Sequence, residues 1–272
     1  MISFFFATGK DLNELADLVN IEIESIVSWL NANKMSLNVD KTHFMVFKPS
    51  KKKVLSNIEI KINNSNILEV DNTKFLGVII DSKLTWKDHI TYVTNKIDKN
   101  IGVLIKCRKV FNEKTLITLY YSFIYPYLSY CIHVWGSTFK TYLKRVVTLQ
   151  KRIVRIMCGA PRNSHTEKLY KELNMMNVNG IFMYNVGLFM YKHHHNLLPS
   201  IFDVFESNDN IHNYQTRQSH LLHIPYCRTD LGKRSFTYQA VSVWNKLCQN
   251  IDVDVSVGVF KKHSKEYLIN TD

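Results

Sequence analysis

The spacing of apolar residues changes near residue 84, and this change constrains the fold more than any other feature of the sequence. Before it, one long segment with helical spacing, 8–34, precedes short runs in which apolar and polar residues alternate. After it, apolar residues recur mostly every three or four positions. A period of two indicates half-buried strands, and a period near 3.6 indicates helices packed on one face. The sequence therefore predicts an α+β fold: a helix and a small antiparallel sheet, then an all-helical region, then a mostly helical C-terminal region.

The first helix has recognisable ends. Thr8 is predicted to cap its start, with Asp11 three residues later in the capping-box position. Asn31 and Asn33 suit its end. Strands are predicted from alternation and turn residues at 42–47, 58–62, 67–70 and 73–80, with a Lys-rich loop at 49–53 and a turn at 63–66.

Three further helices are predicted after residue 84. One covers 86–111, and Asn112 can cap the next, which Pro126 should kink or end. This second helix carries a dense run of aromatic residues, whose spacing fits core packing or base stacking. A third helix at 142–159 has an apolar stripe on one side and cations on the other, and Gly159 closes it.

The net charge of +12 is confined to one part of the chain. Residues 84–171 contain sixteen Lys and Arg and four Asp and Glu, whereas the rest of the chain holds 19 of each sign. Localised positive charge is typical of a surface that binds a polyanion, nucleic acid first and an acidic membrane second. A solvated basic face without a partner is the alternative.

Cysteine and histidine patterns favour neither disulfides nor a metal site. The five cysteines form no C-x-x-C pair and are widely spaced, which indicates reduced, mostly buried thiols. The run His193–His195 is predicted not to bind a metal, because consecutive helical side chains point in different directions and no carboxylate or Cys lies at ligand spacing. With no apolar run of about 18 residues and no basic leader, the sequence predicts an intracellular protein, nuclear or cytoplasmic and not secreted.

Several short motifs occur in a fixed order. The first helix ends in W-L-x-x-N-K, L-N-x-x-K-T follows, and F-L-G lies some thirty residues later. Further segments with the same kind of resemblance lie at 125–136, 149–159, 214–220 and 232–247. Together they resemble the downstream half of the reverse transcriptases of jockey-like non-LTR retrotransposons, over nearly the whole chain.

The resemblance implies three regions and a nucleic-acid partner. Residues 1–83 would be the end of the polymerase palm, 84–160 a helical basic thumb, and 161–272 a C-terminal region of retroelement type with no assignable chemistry. The thumb of such enzymes follows the phosphates of the primer–template duplex. The implied partner is therefore an RNA/DNA duplex or template RNA, with no membrane.

The resemblance also implies roles for particular residues. Lys41 would place a cation near the departing pyrophosphate, with a surface lysine at the start of a strand as the alternative. Phe75, Leu76 and Gly77 would form the primer grip, where glycine allows a close backbone approach within a strand; a bulge in an ordinary sheet is the alternative. The predicted nucleic-acid-binding residues are Lys106, Arg108, Lys109, Lys144, Arg145, Lys151, Arg152 and Arg155.

The catalytic aspartate pair of this family is missing from the sequence. The family has F/Y-A-D-D, which holds the metal ions, whereas Phe6 and Ala7 are followed here by Thr8 and Gly9. The resemblance implies that the pair, the fingers and the endonuclease lie upstream of Met1. The remaining candidate carboxylates, which form no adjacent pair, are Asp11, Asp17, Asp71 and Asp81. No cofactor is expected for this chain, and Mg²⁺ is expected only for the intact polymerase.

Three functional hypotheses follow. The chain is an inactive fragment that retains nucleic-acid binding, the rear part of a longer active polymerase, or a host-adopted nucleic-acid-binding or protein-interaction module without polymerase activity. In each case, residues 1–81 are expected to be loosely packed, because the face of the first helix and one sheet edge lack a partner.

Overall fold

The computed structural model of this chain describes residues 4–47, 58–63, 65–211 and 221–271. They form two compact units that divide between Asp88 and His89. The predicted α+β class is confirmed. The predicted Lys-rich loop and the motif at 214–220 lie outside the described residues, as does one residue of the turn at 63–66.

Short strands are concentrated in the first unit and helices in the second. The elements that begin in the first unit are α1 (Leu12–Ala32), a 3-10 turn (Val39–Lys41), β1 (His43–Phe44), β2 (Lys61–Ile62), β3 (Ser65–Asn66), β4 (Leu68–Glu69), β5 (Asn72–Phe75), β6 (Val78–Asp81) and α2 (Lys87–Cys107). Those of the second unit are α3 (Glu113–Phe123), α4 (Tyr125–Ser129), α5 (Ile132–Trp135), α6 (Lys140–Cys158), α7 (Glu167–Glu172), α8 (Val178–His194), a 3-10 turn (Ser200–Phe202), α9 (Asn208–Ile211), α10 (Asp230–Lys233), α11 (Phe236–Cys248) and α12 (Val257–Asn270).

Helix α1 begins later than the sequence predicts. The carboxylate of Asp11 accepts hydrogen bonds from the backbone N–H groups of Asn13 (2.8 Å) and Glu14 (3.2 Å). Asp11 is therefore the N-cap, and the prediction of Thr8 for this position is wrong, because one carboxylate oxygen satisfies two orphan amides at once. Asn33 caps the C-terminus, as predicted.

The strands found among the described residues of the first unit form three separate pairs in place of one antiparallel sheet. β1 pairs in parallel with β4, while β2 with β3 and β5 with β6 are antiparallel. The predicted strand at 73–80 reverses direction at Leu76 and Gly77, and the run at 42–47 pairs over only two residues.

The core of the first unit is small. Ile60, Ile62 and Ile67 are buried and pack against half-buried apolar side chains of α1 and the following turn. The side chain of Asn20 holds α1 to β2 by donating to the carbonyl of Glu59 (3.1 Å) and accepting from the N–H of Lys61 (2.9 Å). None of the residues of α1, all of them described, is itself buried.

The second unit has an extensive core centred on α8. This helix packs against α4, α5, α6, α11 and α12, and Ile181, Val186 and Met190 are fully buried in it. Gly187 allows α11 to approach closely, since a side chain at this position would collide with Leu247. No helix among the described residues is both long and apolar enough to cross a bilayer.

A buried amide links three helices of this unit. Gln150 of α6 donates to the hydroxyl of Tyr120 in α3 (2.9 Å) and to the carbonyl of Met176 (3.0 Å), and it accepts from the hydroxyl of Tyr170 in α7 (3.0 Å). Because each contact satisfies a group that burial would otherwise leave without a partner, the network fixes the position of α6.

Several sequence predictions for the second unit are confirmed. Asn112 caps α3 by accepting from the N–H of Thr115 (3.0 Å), and Pro126 lies in the first turn of α4, directly after α3 ends. Gly159 ends α6 with φ +69°. Ile105 of α2, in contrast, has the spacing of a buried residue, four positions after the buried Ile101, and is 40% exposed. The division at residues 83 and 160 stays a prediction.

Candidate nucleic-acid interface

Lys41 lies at the end of a capped turn in the first unit. The side chain of Asn38 accepts from the backbone N–H of Lys41 (3.1 Å), and the hydroxyl of Thr42 donates to the carbonyl of Asn38 (2.8 Å). The L-N-x-x-K-T motif therefore folds as a 3-10 turn that leads into β1, with the Lys41 side chain exposed. Its proposed action on pyrophosphate stays a prediction.

The F-L-G motif forms the turn of a hairpin. Phe75 ends β5, Val78 begins β6, and the two residues between them have positive φ, +43° for Leu76 and +87° for Gly77. A two-residue turn of type I′ requires this conformation, which glycine adopts easily and leucine adopts at a cost of about 1–2 kcal/mol. Gly77 is thus needed for the turn. The sequence had suggested that it lies within a strand, and the structure places it in the turn between β5 and β6 instead.

The hairpin and the Lys41 turn are linked within the first unit. The ring Nε2 of His43, two residues after Lys41, lies 2.6 Å from the hydroxyl of Thr73 in β5. At the tip of the hairpin the Leu76 side chain is 62% exposed, while the Phe75 ring packs on Phe4 at a centroid distance of 3.9 Å. The two predicted polymerase motifs therefore belong to one connected substructure.

Helix α6 presents cations on the side opposite its buried stripe. Lys144, Arg145, Lys151 and Arg152 are exposed. Arg155 differs from these four, because it is half-buried and its Nε donates to the carbonyl of Ser164 (2.9 Å). Arg155 therefore holds the turn that follows α6, a role for which the sequence offered no signal.

The C-terminal end of α2 adds a second group of cations. Lys106, Arg108 and Lys109 are exposed. The guanidinium of Arg108 lies directly against Gly159, so that any side chain at Gly159 would collide with it. This contact places a positive charge at the C-terminus of α6, where the carbonyl groups carry partial negative charge.

A second contact fixes the relative direction of α2 and α6. The guanidinium of Arg145 lies 3.5 Å from the side-chain oxygen of Asn95 and 3.7 Å from the carboxylate of Asp98. From Asn95 to Arg108, and from Arg145 to Gly159, each helix rises about 20 Å. The two helices therefore run side by side in the same direction over about that length.

Arg152 lies between these two contacts. It is seven residues from Arg145 and from Gly159, which puts all three positions on nearly the same side of α6. We use the term α2–α6 basic face for the exposed cations of this region, which are Lys106, Arg108, Lys109, Lys144, Arg145, Lys151 and Arg152. The sequence identified the cations but not the pairing of the helices, which depends on contacts fifty residues apart.

Some acidic groups partly offset this charge. Burial raises the pKa of Cys158 to about 11, the carboxylates of Glu172 and Glu113 act in the same direction, and Arg108 opposes them. The thiol is therefore neutral near pH 7 and is no nucleophile. Because both glutamates act on Cys158, their negative charges lie near the end of α6 and reduce its positive potential.

Two of the four carboxylates that could replace a catalytic pair cap secondary structure instead. Asp81 accepts hydrogen bonds from the backbone N–H groups of Lys83 (3.2 Å), Thr85 (3.0 Å) and Trp86 (2.6 Å), and so organises the entry to α2. Asp11 caps α1. These oxygens are already committed to backbone donors, and the sequence contains no two adjacent aspartates.

Curated proteins with similar sequences come from mobile elements. The chain is 25% identical over 165 residues to the RNA-directed DNA polymerase from mobile element jockey of Drosophila funebris, a match that covers 60% of this chain and 18% of that protein. Two Drosophila melanogaster relatives are the probable RNA-directed DNA polymerases from transposon BS, 25% identical over 174 residues (61% of this chain, 18% of the relative), and from transposon X-element, 23% identical over 108 residues (39% and 12%).

These matches confirm the resemblance to jockey-like reverse transcriptases. The matched region spans less than a fifth of each of these relatives. No family profile matches the chain. No solved structure matches it either.

Proposed function

We propose that this chain is part of an RNA-directed DNA polymerase of a jockey-like mobile element and binds nucleic acid through the α2–α6 basic face. The ligand is the phosphate backbone of an RNA/DNA duplex or of template RNA. We place the chain in the nucleus or cytoplasm, with no membrane partner. Five unpaired cysteines, all within the described residues, are consistent with a reducing compartment.

One observation carries this proposal. The exposed cations of α6 and those at the C-terminal end of α2 form one surface, which extends about 20 Å along α6 from Lys144 to the contact of Arg108 with Gly159. A double helix carries a phosphate charge about every 1.7 Å along its axis, so a face of this length can meet several phosphates at once. Lysine and arginine contacts of this kind give affinity without reading the base sequence.

We further propose that the chain as given does not polymerise DNA. The engagement of Asp11 and Asp81 in capping supports this, together with the lack of adjacent aspartates. Two-metal catalysis needs converging oxygens that bind Mg²⁺. Nucleic-acid binding by this chain should therefore not require Mg²⁺, and chelation of divalent ions should leave it unchanged.

For Lys41 and the hairpin turn we propose the roles that the family resemblance implies. Lys41 would act on the leaving pyrophosphate, and Leu76 and Gly77 would contact the end of the primer. The exposure of the Lys41 side chain and of Leu76 at the tip of the hairpin supports this proposal. The test is primer extension by a polymerase that contains this segment, in which Lys41→Ala should lower the rate and Lys83→Ala, at another exposed lysine of the unit, should not.

The binding proposal is tested by removing charge from the face. The variant Lys144→Gln, Arg145→Gln, Lys151→Gln, Arg152→Gln should bind a fluorescent RNA/DNA duplex at least about tenfold more weakly at low salt, because four phosphate contacts are lost. Its matched control also removes four positive charges, at Lys246, Lys261, Lys262 and Lys265 of α11 and α12. The control should keep most of the affinity.

Equal losses in the two variants would mean that total charge, and not this face, determines binding. No affinity in the unaltered chain would overturn the proposal and favour the alternative, a protein-interaction module. Leu18, Ile21 and Trp29, which are 49%, 65% and 56% exposed on α1, would then be the first surface to test.

A further inference from the structure

The histidine run ends α8 and meets a distant part of the chain. His194 is the last residue of α8, and His195 is the cap residue that follows, with φ −92° and ψ 15°. Facing them is the segment Asp252–Val255, which precedes α12. About sixty residues of sequence separate the two, so the juxtaposition is a product of the fold.

Three hydrogen bonds hold this segment against α8. The hydroxyl of Tyr191 donates to the carbonyl of Val255 (2.6 Å), and His195 Nε2 donates to the carbonyl of Val253 (3.0 Å). His194 Nε2 lies 2.9 Å from the carboxylate of Asp254. These contacts hold the segment and the His195 ring in place, and they bring the carboxylate of Asp254 directly against the ring of His194.

We propose that His194, His195 and Asp254 form a binding site for a borderline divalent transition metal, Zn²⁺ in the first place. One donor atom from each of the three residues lies within 4.8 Å of the other two. Two imidazole nitrogens and one carboxylate oxygen are a donor set that suits Zn²⁺ and excludes Mg²⁺ and Ca²⁺, which prefer oxygen ligands alone.

The hydrogen bond of His195 supports this assignment independently. A carbonyl can only accept, so Nε2 of His195 carries the proton and the lone pair of the ring is on Nδ1. Metal-binding histidines commonly donate their other ring N–H to a backbone carbonyl in this way, which fixes both tautomer and orientation. A metal at this site would therefore have to bind Nδ1 of His195.

The end of the helix explains why the sequence did not predict this site. Consecutive helical side chains diverge by about 100°, but His195 has left the helix, and the rings of His194 and His195 lie 5.1 Å apart. His193 points elsewhere, with its Nε2 3.9 Å from Asp203 and its ring against Phe205. Two members of the run thus meet a carboxylate, and the third does not.

Metal binding requires a modest contraction of the three donors. With bonds of about 2.0–2.1 Å, tetrahedral ligands of zinc lie roughly 3.3 Å apart. The side chain of Asp254 is 77% exposed and that of His194 is 42% exposed, so both can move inward without disturbing the core. The ion would replace the direct contact between Asp254 and His194, and water would occupy the fourth position of the tetrahedron. The ion would thereby connect α8 to the segment before α12.

The experiment is a calorimetric titration of the full chain with Zn²⁺, with Mg²⁺ as a negative control. We expect one Zn²⁺ per chain and at least about tenfold weaker binding in Asp254→Asn and in His194→Gln, since even an outer-shell partner commonly costs that much. His193→Gln is the matched control, one residue away, and should bind as the unaltered chain does. Zn²⁺ should also raise the unfolding temperature of the chain in a concentration-dependent manner.

Two results would overturn the proposal. The first is no one-to-one binding by the unaltered chain. The second is undiminished binding by Asp254→Asn and His194→Gln, which would place the ion elsewhere. Thermal unfolding without metal shows whether each variant is folded, and because Asp254 and His194 are substantially exposed, both variants should unfold within a few degrees of the unaltered chain.

Discussion

The two units of this chain differ in how far their longest helices are buried. In the first, α1 has 21 residues of which none is buried, and the buried apolar residues come from short strands and their connections. In the second, α8 has 17 residues of which nine are buried, and it is covered from several sides. Helical periodicity is clear in the sequence of α1, whereas α8 is apolar on nearly every side and shows almost none. The difference teaches that periodicity predicts a helix but not whether other elements cover it.

The proposed functions divide along the same line. The motifs at Lys41 and the hairpin, for which polymerase roles are proposed, lie in the first unit, where a strained leucine and a small core support them. The α2–α6 basic face lies in the second unit on long, well-packed helices. A surface that binds phosphates by charge needs only a rigid support, whereas a catalytic site needs several elements to converge.

The largest expected difference concerns buried and exposed isoleucine. Ile153→Ala in α6, a fully buried position, should lower the free energy of unfolding by about 2–5 kcal/mol. Ile21→Ala in α1, where the side chain is 65% exposed, should change it by less than about 0.5 kcal/mol. Chemical denaturation followed by circular dichroism measures both. A similar decrease in the free energy of unfolding for both variants would mean that α1 is buried like α6, which would contradict the difference between the units.

Acid should destabilise the second unit through a buried histidine. Burial against Trp135 and the surrounding core lowers the pKa of His89 to about 4. The unfolded chain therefore binds more protons than the folded chain between about pH 6.5 and 4, and the free energy of unfolding should fall by about 2–3 kcal/mol as pH drops through this window.

The histidine prediction has its own matched control. His89→Gln should flatten the pH dependence of unfolding, while His263→Gln, at an exposed position of α12, should leave it as it is. An unchanged slope in His89→Gln would show that other groups account for any sensitivity to acid.

Helix ends offer a smaller and opposite pair of effects. α6 ends with Gly159 at φ +69°, whereas α1 ends with Lys34 at φ +56° and the same type of hydrogen bonding, from Met35 N–H to the carbonyl of Leu30 (2.9 Å). Gly159→Ala should destabilise by at least about 1 kcal/mol and displace Arg108. Lys34→Gly should stabilise by about 0.5–1 kcal/mol. Equilibrium unfolding measures the free energy of unfolding of both variants. A lower value for Lys34→Gly would refute the idea that the positive φ of Lys34 costs stability.

The smallest effect distinguishes two arginines on one helix. Arg152→Gln should reduce the slope of log K against log salt for duplex binding by about 0.9, the value of one phosphate contact. Arg155→Gln should leave the slope unchanged, because Arg155 is bound to the carbonyl of Ser164. Fluorescence anisotropy at several salt concentrations gives both slopes. A smaller slope in Arg155→Gln and an unchanged slope in Arg152→Gln would mean that Arg155, and not Arg152, contacts a phosphate.

Local signals predicted much of the second unit. The cap at Asn112, the break at Pro126, the stripe of α6 and the glycine at its end each depend on residues within one or two turns, and the structure has all four. The same kind of signal failed at Thr8, because the carboxylate of Asp11 accepts from the amides of Asn13 and Glu14 and so starts the helix three residues later.

Long-range contacts account for what the sequence could not predict. The position of Asp254 beside His194, and the alignment of Arg145 with Asp98, join residues sixty and about fifty positions apart. Arg155 carries the same charge as Arg152 but lies where the chain turns back to Ser164. The hairpin at Leu76 was hidden because leucine is unusual in a turn that requires positive φ.

The most direct test of the central claim is the salt dependence of duplex binding by the unaltered chain. If the α2–α6 basic face neutralises phosphates, log K should fall linearly with log salt with a slope of about −0.9 per phosphate, and several of its seven cations should make the total steeper than about −3. A flat response would contradict the claim, because binding would then not depend on these charges.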